Sequence, residues 1–185
     1  MKTILICNQK GGVGKSLIAD EIAFALDRAK TPYNFFDLDG QGGVLHSTTE
    51  KKGAKVAVID TPGALQPDLH KWLKMADLVI IPTRMTSRDI GPLQTMIELT
   101  ATVKCPVMYV LNGANRFTAS KVFEAWFSEA VEGRKTVKLP QSEQFAQAAA
   151  YGRSVVDYAP RSSAAAAILE LIATVKEILR LRKEL

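Results

Sequence analysis

The chain has 185 residues, 47% of them apolar, and a formal net charge of +5, a size and balance that suit one globular domain spanning 1–185. Its two cysteines, Cys7 and Cys105, are too few for a disulfide framework, a four-cysteine zinc site or an iron–sulfur cluster, and read as buried thiols in a reducing compartment. The positive excess is compatible with a polyanionic partner such as DNA and equally with an ordinary solvated surface.

Short apolar runs alternate with stretches of helical period along the whole chain. That pattern predicts an α/β fold, a doubly wound and mostly parallel sheet with helices on both faces. The first strand, Thr3–Cys7, starts so early that no cleavable leader is expected before it. Further strands are predicted at Tyr33–Leu38, Lys55–Ile59, Leu78–Pro82, Val107–Leu111 and Thr136–Leu139. Most are continuous Val/Ile/Leu runs, as strands covered on both faces require. Helices are predicted at Ser16–Arg28, Pro67–Met75, Asp89–Thr102, Ala119–Val131 and Ser142–Ala149, with a last one from about Ser163 to Lys183. The last helix carries Ile168, Leu171, Ile172, Val175, Ile178 and Leu179 on one stripe, expected to dock on the sheet. A basic amphipathic helix lying on a membrane is the alternative. No apolar run reaches the roughly 20 residues of a spanning helix.

Between the first strand and the first helix lies Lys10-Gly11-Gly12-Val13-Gly14-Lys15-Ser16. Glycines let successive amides turn toward a phosphate, and the helix that follows adds its positive end. Lys15 would bridge the β- and γ-phosphates of a nucleoside triphosphate, and the Ser16 hydroxyl would ligate Mg²⁺. Lys10 has no room on the same phosphates while Lys15 is there, so it is available to a facing subunit. This segment resembles the deviant Walker A box of the ParA/MinD superfamily, where the first lysine crosses an ATP-sandwiched dimer. The resemblance implies nucleotide contacts from Gly11, Gly12, Val13, Gly14, Lys15, Ser16 and Leu17, with Lys10 and Lys15 in the catalytic set.

Other segments extend it. Asp37-Leu38-Asp39-Gly40-Gln41 resembles the family's first switch, with Gly40 where proline is usual. By that resemblance Asp39 orients the attacking water and Asp37 supports the Mg²⁺ shell. Asp60-Thr61-Pro62-Gly63 looks like Walker B joined to the second switch, so Asp60 would hold Mg²⁺, close to the triphosphate and through water. Ala76–Pro82 is similar to the strand that follows, with Asp89 a little beyond. Asn112 and Pro140 fall where the family contacts adenine; no Asn-Lys-x-Asp guanine box is present. Tyr151–Pro160 is similar to the segment before the last helix of ParA proteins.

Two departures stand out. Only 18 residues separate Gln41 from Asp60, so a peripheral helix is expected to be missing there, leaving Lys51, Lys52 and Lys55 on an exposed tip. The segment Gln141-Ser142-Glu143-Gln144, near which some relatives bind DNA, has no lysine or arginine. Candidate DNA contacts are then Arg116, Lys121, Arg134, Lys135, Lys138, Arg153, Arg161 and the end of the last helix. What the resemblance implies is a small plasmid-type, ParA-like ATPase for plasmid or chromosome partition, cytoplasmic and nucleoid-associated. It would use ATP and Mg²⁺, dimerise on ATP, bind DNA non-specifically, and answer to a centromere-binding, ParB-like partner rather than a membrane. A MinD-like membrane-associated ATPase, a dethiobiotin-synthetase-like ligase, and a DNA-binding or conjugation accessory protein are the alternatives.

Overall fold

The computed structural model describes residues 1–40, 43–63 and 69–181. Its centre is a six-stranded parallel sheet in the order β2-β3-β1-β4-β5-β6. The strands are β1 (Lys2–Ile6), β2 (Tyr33–Asp37), β3 (Val56–Asp60), β4 (Leu78–Arg84), β5 (Val107–Ala114) and β6 (Lys135–Pro140). All six predicted strands form. The helices are α1 (Lys15–Arg28), α2 (Leu69–Met75), α3 (Ile90–Thr100), α4 (Thr118–Ala130), α5 (Glu143–Ala150), α6 (Val155–Tyr158) and α7 (Ser163–Leu179).

Two cores flank the sheet, divided by the two-residue period of the strands. Ile4, Ile6, Val56, Val58, Leu78, Ile80, Met108 and Val110 face α1, α5, α6 and α7. The intervening Leu5, Cys7, Ile59, Val79, Ile81, Val107, Tyr109 and Leu111 face α2, α3 and α4. Continuous apolar strands are thereby explained, because each face needs every second side chain.

On α7, Ile168, Leu171, Ile172, Val175 and Leu179 are buried against the first of these cores. The predicted stripe is thus used on the sheet, and among the described residues no helix is long and apolar enough to cross a membrane. The helix stops at Leu179, short of the predicted Lys183, because Arg180 turns left-handed (φ 55°) and Leu181 N–H closes on the Lys176 carbonyl. Lys183 itself lies outside the described residues, as do Gln41 and Pro67.

The segment before β3 holds no helix among described residues 43–55. It returns along β2 instead, where Thr49 and Phe35 exchange both backbone hydrogen bonds. The short α6 was not predicted: its turn is set by Ser154 capping Val156 and by buried Glu21, which accepts from Ser154 Oγ and Val155 N–H.

Candidate functional site

In a sheet of this kind ligands sit beyond the carboxyl ends of the strands. Just past β1, buried Asn8 donates from Nδ2 to the Pro82 carbonyl at 2.7 Å and accepts the Lys10 N–H at 2.9 Å. These bonds tie the start of the Gly-rich loop to β4. Gly12 (φ 71°) and Gly14 (φ 102°) then take left-handed conformations that a side chain would strain. Gly14 is doubly required, since a Cβ there would lie 2.3 Å from Asn112 Nδ2. Asn112, at the end of β5, donates that same Nδ2 to the Val13 carbonyl at 2.9 Å and so braces the loop.

The loop opens α1 at Lys15, whose side chain is only 4% exposed and donates to the Lys10 carbonyl at 3.2 Å. Burial lowers the Lys15 pKa, opposed by the negative charges of Asp60 and then Asp39. Ser16, next along, donates its hydroxyl to Asp60 Oδ2 at 2.7 Å. Leu17 packs on the core, and Ile18 N–H returns to the Gly14 carbonyl.

Asp37 and Asp60 are register partners on β2 and β3, so the parallel pairing itself sets the two carboxylates side by side. Asp60 is fully buried, and burial pushes its pKa up to about 6 against the lowering effect of the Ser16 hydroxyl. Its Oδ1 has no hydrogen-bond partner among the described residues. An unmet buried carboxylate oxygen beside a serine hydroxyl suits a hard divalent cation such as Mg²⁺, which takes oxygen ligands, and among the described residues no group of three acidic, histidine or cysteine side chains is gathered to hold one by itself. Asp37 Oδ1 accepts the Asp39 N–H at 2.9 Å, turning the chain so that Asp39 stands over the site. The charges of Asp37 and Asp39 both bear on Asp60.

Glycines again mark close approach. A Cβ on Gly43 would meet Ser16 Oγ at 2.9 Å, and one on Gly63 would meet the Gly11 Cα and N at 3.0 Å. The strap that follows Asp37–Gln41 and the segment Asp60–Gly63 therefore each come close to the glycine loop or the start of α1 at a glycine. The strap after the first switch is held from below by buried Asp20 of α1, which accepts the Leu45 and His46 amides and contacts His46 Nδ1 at 2.7 Å.

Lys10 reaches sideways rather than inward. Its Nζ is 2.5 Å from Oδ1 of Asp89, which is 1% exposed, and 3.2 Å from the Arg88 carbonyl. Thr86 donates to the other Asp89 oxygen. Pro140 pairs with Ala114 across a bulge at Gly113, and Gln141 N–H closes on the Ala114 carbonyl. Asn112 and Pro140 thus stand at neighbouring strand ends above the loop.

Asn8, Asp20 and the partnership of Asp89 with Lys10 were not among the predicted site contacts. Asp20 had a signal, since it and Glu21 are two acids on the otherwise apolar stretch Ile18–Ala23 of a predicted helix. Of the basic candidates, Lys135 pairs with Glu177 at 3.1 Å, Lys138 pairs with Glu124, and Arg153 donates to the Asp157 carbonyl.

A parallel sheet whose first strand runs through a glycine loop into a helix, with aspartates on the adjoining strand ends, defines a P-loop nucleotide-binding fold. Residues 4–155 match the CobQ/CobB/MinD/ParA nucleotide binding domain, and the chain belongs to that ParA/MinD family. It is 28% identical over 174 residues to maintenance of carboxysome distribution protein A of Gloeobacter kilaueensis, covering 80% of this chain and 77% of that protein. In structure it is similar to a Cyanothece McdA–ATP complex, with a TM-score of 0.80 and 15% identity over 98% of this chain and 97% of that one. It is also similar to the MinD cell division protein of Aquifex aeolicus, with a TM-score of 0.77 and 14% identity over 96% and 97% of the two chains.

Proposed function

We propose that this chain is a single-domain ATPase that positions or partitions a cargo by cycling between ATP-bound and ADP-bound states. The observation that carries the reading is the convergence of buried Lys15, Ser16 and the unmet Asp60 oxygen at the mouth of the glycine loop, with Asp39 beside them. In this reading the amides of Gly11 to Leu17 and the Lys15 ammonium hold the triphosphate. Ser16, Asp60 and Asp37 hold Mg²⁺, which neutralises charge on the phosphates. Asp39 orients the attacking water. Little covalent work is asked of the protein, because phosphoryl transfer is governed by positioning and charge stabilisation. Asn112 and Pro140 border the adenine.

Lys10 acts in trans: it leaves Asp89 to reach the nucleotide of a facing subunit, so the active state is an ATP-dependent homodimer. That dimer binds DNA without sequence preference in the nucleoid. A cargo-bound partner, ParB-like where the cargo is a replicon, stimulates hydrolysis and release. The carboxysome-distribution relative favours a positioning role and leaves the cargo open between DNA and a protein body.

The test is Asp39→Ala. It should bind ATP as the parent chain does while turnover falls on the order of 100-fold, as expected when a water-orienting carboxylate is removed. Phosphate release at saturating ATP and Mg²⁺ measures this. Parental turnover in the variant would remove Asp39 from the mechanism.

A further inference from the structure

Because every strand is parallel, all six begin at one edge of the sheet, opposite the glycine loop. That edge is lined with basic side chains. Lys55 precedes β3 and Lys2 opens β1, joined by the Lys2 N–H to Lys55 carbonyl bond at 2.7 Å. Lys74 ends α2 just before β4, Lys104 precedes β5, and Lys135 opens β6. Arg180, at the end of α7, shares one surface depression with Lys2 and Lys104. Lys51 and Lys52, on the tip before β3, continue the row beyond β2, Lys51 lying over the Tyr33 ring. All of these side chains are exposed, and Lys52, Lys74, Lys104 and Arg180 make no ion pair among the described residues. Asp77 and Glu177 are already matched by Lys2 and Lys135 and Asp27 accepts from the Tyr33 hydroxyl, leaving Glu50, Glu98, Glu129 and Glu132 as interspersed acids.

The opposite edge is mixed: Asp37, Asp39, Asp60 and Asp89 stand with Lys10 and Lys15, both tied down, and with exposed Arg84, Arg88, Arg116 and Lys121 around them. Six strands at about 4.8 Å spacing make the row about 24 Å wide, roughly two-thirds of a turn of B-form DNA. The large apolar side chains there are two exposed methionines, Met1 and Met75. That is too little for burial in a bilayer, which needs a continuous apolar face.

We propose that the strand-starting edge of the sheet is the docking face for the phosphate backbone of duplex DNA. This rests on the DNA-binding reading above and gives it a location away from the segment after Pro140. It has a consequence for the ATP dimer. A sandwich joined through its nucleotides turns the two lysine edges outward at opposite ends, so each takes a separate duplex. One edge alone binds weakly and without regard to nucleotide. The dimer gains by holding two segments at once, where the second encounter occurs at high effective concentration.

The experiment compares the parent chain with Lys52→Glu/Lys74→Glu/Lys104→Glu and with Arg116→Glu/Lys121→Glu, which reverses charge at the other edge. Anisotropy of a labelled short duplex is read across salt, with ATP, with ADP and with neither. Energy transfer between two differently labelled duplexes reports bridging, and fluorescent ATP binding checks each fold. The triple variant should bind duplex about tenfold or more weakly, with a salt slope smaller by about 2.7. Its ATP binding should be unchanged, and the control pair should behave as parent. ATP alone should bring two duplexes together. Parental DNA affinity in the triple variant, loss in the control pair instead, or ATP-dependent DNA binding without bridging would each overturn the location while leaving DNA binding intact. A parent chain that binds no duplex in any nucleotide state, or sediments only with anionic vesicles, would overturn the DNA reading itself.

Discussion

The two edges of the sheet use charge in opposite ways. Where the strands end, Lys15, Asp60 and Asp89 are 4%, 0% and 1% exposed, and each is bounded by backbone or by another side chain. Where the strands begin, Lys74, Lys104 and Arg180 stand on exposed stems. A charge out of water interacts through a low effective dielectric and is sensitive to every ångström, whereas a hydrated charge is screened and exchangeable. The first edge is a site built atom by atom, and the second is a field built from a sum. Substitutions should separate them accordingly.

Lys15→Ala should have the largest effect. Removing one member of a buried charge pair costs about 2–5 kcal/mol, so ATP should bind about 100-fold more weakly or worse in a fluorescence titration. An affinity within threefold of the parent would break the contrast between the edges.

Gly63→Ala should come next. Its Cβ would lie 3.0 Å from Gly11 backbone atoms, which cannot swing aside as a side chain could. Overpacking of this kind costs about 1–3 kcal/mol, and displacing the phosphate loop should slow turnover on the order of tenfold. Parental stability and turnover together would show that the two segments do not need this contact.

Glu21 offers a test by pH. Burial raises its pKa above the ordinary glutamate value of 4.5, against the lowering effect of hydrogen bonds from Ser154 and Val155. The folded protein therefore holds the Glu21 proton more tightly than the unfolded chain does. The corresponding stability is complete below 4.5 and is lost as pH rises through the raised value. Relative to Glu21→Gln, the parent should lose stability across that window and differ by a constant amount above it. A pH-independent difference in thermal midpoint would show that Glu21 titrates normally.

Lys104→Ala should have the smallest effect. It should weaken duplex binding only about threefold near 0.15 M salt and reduce the salt slope by about 0.9. A loss comparable to that of the triple variant would mean that the lysine edge, too, is a fixed site.

Much of this was legible in the sequence, and the reasons are specific. Strand positions could be read because a strand covered on both faces is apolar throughout, as in Leu78–Ile81. The glycine loop could be read because its residues are contiguous and each type has a distinct stereochemical use. The stripe on α7 was visible, but its end was not, since a left-handed arginine at 180 replaces the usual glycine. The helix α6 escaped because its cap depends on Glu21, separated from Val155 by 134 residues. Lys10 was marked as surplus to the loop, yet its partner Asp89 lies 79 residues away, on a turn that only the crossover from β4 to α3 brings alongside. Asn112 was predicted at the base, and the engagement the fold shows for it is a bond to the Val13 carbonyl, 99 residues away.

By itself, then, the sequence determined the period of each element, the chemistry of the phosphate loop and the order of the aspartates, because these are properties of neighbouring residues. The tertiary structure decided which oxygen of Asp60 is left unmet, which acid receives Lys10, where glycines touch, and that the lysines scattered from Lys2 to Arg180 share one edge. Those depend on strand order and parallel register, which bring together residues far apart in the chain and which no local pattern encodes.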